Sequence, residues 1–235
     1  MYMKQYSRII LAFLCLFFIF FGIYAAENEF LNKGLSYYRN KEFELASAHL
    51  EEAKKLEPRN PNIYFYLGNS YYQMKELDSA IVSYTAGLDY TNKKGPFFYN
   101  LGNCYYLKEN YKFSSDMYAQ AILNDPLLLD SYLNAGNAYY KTGDYTKTII
   151  HWETYLDKNP QTPQYESIEK AIAYLREEIE RRSAEQQGID AETGLDVDLL
   201  GDVLEDLEGL INRTENLLEM SEKPVDDLSS EEIER

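Results

Sequence analysis

Residues 64–72 read YFYLGNSYY and residues 98–106 read FYNLGNCYY, two stretches 34 residues apart in which a ring, a Leu-Gly-Asn core and a Tyr-Tyr pair recur in phase. The same spacing in both directions brings Gly34 and Gly136 into line with Gly68 and Gly102, each followed three residues later by Tyr37, Tyr71, Tyr105 or Tyr139. Four residues before each glycine stands Phe30, Tyr64, Phe98 or Tyr132, and sixteen after it Leu50, Tyr84, Tyr118 or Trp152. Self-similarity at one fixed period marks a stacked-repeat architecture. The period divides the chain into four contiguous units: 27–60, 61–94, 95–128 and 129–162.

Each unit has room for two helices. Residues four, seven, eight and eleven of the unit share one helical face, and residues 20, 24 and 27 form the answering stripe of a second helix. The glycine lets the second helix come close. Pro58, Pro126 and Pro160 stop second helices, while Pro61, Pro96 and Pro163 suit the first turn of the next helix. One hairpin alone cannot bury its apolar face, so neighbours must stack.

With Leu-Gly-x-x-Tyr in YLGNSYY and NLGNCYY, the chain resembles the tetratricopeptide repeat family over 136 of its 235 residues. The resemblance implies an all-α fold, a right-handed superhelix of four helix-turn-helix repeats closed by a C-terminal capping helix. Departures from the family pattern are modest: Lys33 and Ala135 stand where leucine is usual, Ser114 and Thr148 in place of one small alanine, Gly87 and Tyr155 in place of another, and Asn92 in place of a terminal proline. Tyr155 matters most, because a ring at a small-residue position implies that the fourth unit packs differently on the segment C-terminal to it.

The flanks differ from the array. Lys4 and Arg8 precede Ile9 to Ala26, an uncharged 18-residue run, so 1–26 reads as a signal peptide or signal anchor that places the remainder outside a cytoplasmic membrane. The expected location is membrane-anchored on the outer, periplasmic side, or soluble and secreted if the segment is cleaved. After the repeats, 163–183 reads as a capping helix with Tyr165, Ile168, Ile172, Leu175 and Ile179 on one side. Residues 184–235 read as an acidic tail, partly helical or disordered. Leu200, Val203, Leu204, Leu207, Leu210, Ile211 and Leu218 recur there at helical spacing, so residues 195–220 have two readings: a tethered, partly helical tail that keeps the chain soluble, or a segment that docks on a partner or back onto this chain.

Charge narrows the functional classes. The net charge of −16 is concentrated in the tail: residues 185–235 hold 17 acids against Arg213, Lys223 and Arg235, a net of −14, and the first 184 residues are nearly neutral. No basic footprint for nucleic acid exists. Two cysteines and two histidines, His49 and His151, are too few and too scattered for a thiolate or histidine metal centre, and no cofactor is expected. Cys104 reads as a packed small residue, and the histidines as surface or packing groups. No phosphate loop, nucleophile elbow or paired-carboxylate context appears, so an enzyme is not expected.

The candidate site lies on the inner, concave side of the first helices. It comprises Tyr38, Tyr72, Tyr106 and Tyr140; Asn69, Asn103 and Asn137; Asn32, Tyr66, Asn100 and Asn134; and Phe65 and Tyr99. Amides both donate and accept, so a ladder of them can pair with an extended peptide, and tyrosines supply rigid contact area. The same residues can equally bond adjacent helices and fill gaps between repeats. Some tetratricopeptide proteins clamp C-terminal carboxylates with lysine and asparagine; here the matching basic positions hold Phe65, Tyr99, Pro96 and Asp130, so that clamp is absent. Two functions fit: a protein-interaction adaptor at the cell envelope, with a protein or peptide in the groove, or an envelope glycan or small-molecule binder using the ring-rich groove. Membrane contact is expected only through the N-terminal segment.

Overall fold

The structure, a computed structural model, describes residues 29–186 and Gly209. The N-terminal segment 1–26 and the tail beyond Gln186, Gly209 apart, lie outside the described residues. Among the described residues every regular element is helical, and no helix is long and apolar enough to cross a membrane. The chain divides into two compact units, Met1–Thr91 and Asn92–Arg235. The first contains α1 (29–39), α2 (Phe43–Leu56), α3 (Pro61–Gln73), α4 (Leu77–Gly87) and a 3-10 turn, Leu88–Tyr90. The second contains α5 (Gly95–Leu107), α6 (Tyr111–Asn124), α7 (Asp130–Lys141), α8 (Tyr145–Lys158) and α9 (Tyr165–Gln186). Within each unit the extensive helix contacts join chain neighbours: α2 with α3 and α3 with α4 in one, α5 through α9 consecutively in the other.

The hairpins share one turn. Lys41, Lys75, Glu109 and Gly143 occupy equivalent positions, each with φ between 58° and 77°. The amide of the next residue donates to the carbonyl of Tyr37, Tyr71, Tyr105 or Tyr139, and the left-handed residue's own amide donates to that of Tyr38, Tyr72, Tyr106 or Tyr140. This double closure is the Schellman end of a helix, which satisfies carbonyls that would otherwise be orphaned. The following helix then starts on an accepting side chain where the sequence provides one: Asp144 Oδ1 takes the Lys147 amide, and Asn60 Oδ1 takes the Asn62 amide ahead of α3.

The repeated glycines have a steric cause. A Cβ built on Gly68 would lie 2.4 Å from the Tyr84 ring, on Gly102 2.6 Å from Tyr118, on Gly136 2.3 Å from Trp152, and on Gly34 2.7 Å from Leu50. The bulky residue sixteen positions on lies flat against the glycine's backbone, and these four side chains are fully buried. Close approach therefore fixes both partners of the period at once.

The capping helix differs in register from the expectation. Pro163 sits in a turn, with the Tyr165 amide donating to the Thr162 carbonyl, so α9 begins at Tyr165 rather than at the proline and continues to Gln186. Tyr165 is consequently at the helix start and exposed, not on the apolar face. Ile168, Ala171, Ile172 and Leu175 pack on Trp152, Tyr155 and Leu156 of α8, with Ile179 at the margin. Tyr155, the ring at a small-residue position, inserts into this cluster, its hydroxyl 3.3 Å from Thr162 Oγ1 and accepting from Asn159 Nδ2 at 3.2 Å. It ties the α8–α9 connection to the core. Outside the cluster, Arg176 pairs with Glu153 across the same two helices.

Candidate protein-interaction face

The predicted stripe is much less open than its helical positions imply. Asn69, Asn103 and Asn137 are 1%, 3% and 1% exposed, and each amide oxygen is engaged inside its own repeat. The Tyr84 hydroxyl donates to Asn69 Oδ1 at 2.6 Å, the Tyr118 hydroxyl to Asn103 Oδ1 at 2.7 Å, and Trp152 Nε1 to Asn137 Oδ1 at 3.0 Å. The ring that rests on each glycine thus anchors its polar end on the residue after that glycine. The amide ladder, expected to face a peptide, satisfies these buried polar tips. The sequence did carry the signal: the first repeat has Leu35 where the others have asparagine and Leu50 where they have Tyr or Trp, so amide and polar ring appear and disappear together.

Asn134 and Tyr99 form a second internal pair. Asn134 Nδ2 donates to the Tyr99 hydroxyl at 3.2 Å between α7 and α5. Burial holds the Tyr99 phenol well above its ordinary pKa, with Asp130 adding to the effect and the Asn103 and Asn134 hydrogen bonds opposing it, so it stays protonated. Asn100 is also buried, as is Phe65, whose ring meets Tyr66 and Tyr84 edge-on.

Three of the tyrosines at the ends of the first helices lean on the start of the second. Tyr38 meets Phe43 edge-on, Tyr106 meets Tyr111 edge-on, and Tyr140 stacks on Tyr145 at 5.8 Å. Tyr38, Tyr72 and Tyr106 are buried, whereas Tyr140 and Tyr66 are half-buried and Asn32 is exposed. The open part of the candidate face is therefore Asn32 and Tyr66 in the first unit and Tyr140, with its neighbour Tyr145, in the second.

The remaining candidates are inert or structural. Cys104 is buried, and burial pushes its thiol pKa far up, so it remains a neutral packed group. His49 stacks on Tyr37 at 5.2 Å and His151 on Tyr139 at 5.3 Å, equivalent contacts in the first and fourth repeats. Among the described residues no cluster of three or more His, Cys, Asp or Glu is placed to hold a metal.

The His151 stack has a pH signature. Burial lowers its pKa first and the Lys147 charge second, with Asp144 opposing. A depressed histidine pKa means the unfolded chain takes up the proton first, so stability is lost as pH falls through about 6.5 toward the folded value. Between pH 7.5 and 5.5 the wild type is expected to lose thermal stability, and His151→Gln to lose less. Equal losses in thermal melts of the two chains would remove His151 from the account.

Within each unit the helices follow one another as helix-turn-helix hairpins. Residues 34–75 match the TPR repeat family model and residues 130–162 the Tetratricopeptide repeat model. No curated protein sequence matches the chain. Among solved structures, MamA is similar with a TM-score of 0.59 at 19% identity, over 78% of this chain and 92% of MamA. MamA 41-end from Desulfovibrio magneticus RS-1 gives 0.58 at 15% identity, over 78% and 96%. The APC/C hetero-tetramer Cut9-Hcn1 gives 0.54 at 17% identity, over 60% of this chain and 29% of that one. Two segments of the chain thus match tetratricopeptide-repeat models, and the fold is that of these helical-hairpin repeat structures.

Proposed function

We propose that the protein is a non-enzymatic adaptor that gathers protein or peptide partners on the inner faces of its repeats, on the outer side of a cell membrane. The observation that carries this reading is the tetratricopeptide array itself, with ring surface left half-open at Tyr66 and Tyr140 after the internal pairs are accounted for. Rings of this kind are the side chains that anchor interfaces. Cut9-Hcn1, similar in fold, is a hetero-tetramer, which supports assembly as the use of such an array. The location rests on Lys4 and Arg8 ahead of the uncharged run from Ile9 to Ala26.

The test is photo-crosslinking in intact cells, with the crosslinker at exposed Asn32 in one chain and at Lys141 in another. A discrete partner is expected, and its yield should fall about tenfold or more on Tyr66→Ala or Tyr140→Ala respectively. The helical circular dichroism of each variant shows whether its array is intact. Undiminished capture by folded variants would sink the face assignment.

A further inference from the structure

The turn between α6 and α7 breaks the pattern of the other repeats. At the twenty-ninth position of the four units stand Lys55, Asp89, Leu123 and Asp157, and at the thirty-third Arg59, Lys93, Leu127 and Gln161. The third repeat alone has leucine at both, where the others are polar or charged. Neither side chain is buried by the fold: Leu123 is 74% and Leu127 85% exposed, the highest values for large hydrophobic groups among the described residues. The turn closes through other atoms, with the Asp125 amide donating to the Ala121 carbonyl, the Leu128 amide to the Asp125 carbonyl and the Leu127 amide to Asp125 Oδ1. One exposed leucine is ordinary, but a pair at positions that the period otherwise makes polar marks a contact surface.

Lysines flank the pair. A Cβ built on Gly95 would lie 2.5 Å from Asp125 Cβ, so the turn that holds Lys93 and Lys94 abuts the end of α6. Lys158 Nζ lies 5.5 Å over the Tyr132 ring, whose hydroxyl donates to the Pro126 carbonyl. Asp125, Asp130 and Asp157 balance these cations, so attraction at this edge comes from the leucines, and the lysine stems can carry their charged ends out of an apolar phase. Two leucines bury far less than the ~1,200 Å² of a stable protein interface, which argues against a second copy or a globular partner. A bilayer asks for neither large area nor matching shape, because each inserted apolar side chain contributes by itself. The chain also has a bilayer at hand. The uncharged run ends at Ala26 and α1 starts at residue 29, a span of at most about 11 Å.

We infer that Leu123 and Leu127 form a second membrane contact, inserting into the acyl boundary of a phospholipid bilayer while Lys93, Lys94 and Lys158 stay among the headgroups. The contact adds to the one expected of the N-terminal segment, and it rests on the membrane location proposed above. For a chain already held at the surface, two leucines suffice, since tethering raises the effective concentration of a weak second site. The contact fixes how the second unit is presented to its partners.

The test uses the full chain in vesicles of phosphatidylethanolamine and phosphatidylglycerol. Photoreactive benzoylphenylalanine takes the place of Leu127, of Leu123 or, as a control, of exposed Asp116 two turns back on α6. Mass spectrometry should find phospholipid adducts at 127 and 123 in at least tenfold the yield at 116, and Leu127→Asp should lower the yield at 123 about tenfold. Equal yields at the three positions, no adducts at 123 and 127, no effect of Leu127→Asp, or products joining two chains of different isotopic mass overturn the inference. Both leucines are exposed, and an unchanged helical circular dichroism signal controls for folding. The location reading fails on a different result: alkaline carbonate strips the wild-type chain from the vesicles, whatever adducts form. A chain that carbonate leaves in place but that gives no adducts sinks the leucine contact alone.

Discussion

Gly136→Ala is expected to lower the stability of the second unit by about 1–3 kcal/mol, measured by urea denaturation followed through circular dichroism. The new methyl carbon would sit 2.3 Å from Trp152 Cδ1 and 2.5 Å from its Nε1, in a cluster where the indole is fully buried. The indole must move, and moving it also breaks its bond to Asn137 Oδ1. Overpacking costs about 1–3 kcal/mol and the lost hydrogen bond about 1, against a gain of about 1 from replacing glycine in a helix. Gly34→Ala should cost less, because its nearest contacts, Leu50 Cγ at 2.7 Å and Cδ2 at 2.9 Å, are looser than those at Gly136 and no hydrogen bond of the apolar Leu50 side chain is lost. If the two substitutions proved equally mild, the steric reading of the 34-residue period would be wrong.

Asn69→Leu is expected to cost about 2–3 kcal/mol in the first unit, since the fully buried Tyr84 hydroxyl loses the acceptor it holds at 2.6 Å. Adding Tyr84→Phe should recover about 1–2 kcal/mol, because the double variant removes donor and acceptor together while the ring still rests on Gly68. The first repeat already demonstrates the apolar solution with Leu35 and Leu50. The check is a double-mutant cycle by chemical denaturation. Additive single and double effects would mean that the amide and hydroxyl do not depend on each other, and would reopen Asn69 as a residue for partners.

Why the helices are legible in the sequence and the face is not comes down to what a period can encode. Glycine at one position and a bulky residue sixteen later is a steric pair, and sterics repeat with the backbone. Helical position alone, however, gives the direction of Asn103 and not the reach of Tyr118 from the second helix, whose hydroxyl arrives from fifteen residues away. Position alone therefore assigns the amides to an open groove that the structure closes. The tyrosines are similarly underdetermined: Tyr106 finds Tyr111 only because the Schellman turn at Glu109 folds the chain back over five residues. At the cap, propensity places Pro163 inside a helix, but the turn at Thr162 and the Tyr155 hydroxyl set a later start.

The indole pressed onto Gly136 is also the chain's single tryptophan, and it lies 6.2 Å from Tyr140 among 23 tyrosines. The molecule thus contains one indole, which absorbs at slightly longer wavelength than tyrosine, shielded from water and fed by tyrosine donors. Excited at a wavelength tyrosine absorbs, the folded chain should emit with the blue-shifted colour of that one indole. Loosening of the fourth repeat would then register as a change of colour before the far-ultraviolet signal of the remaining helices has moved.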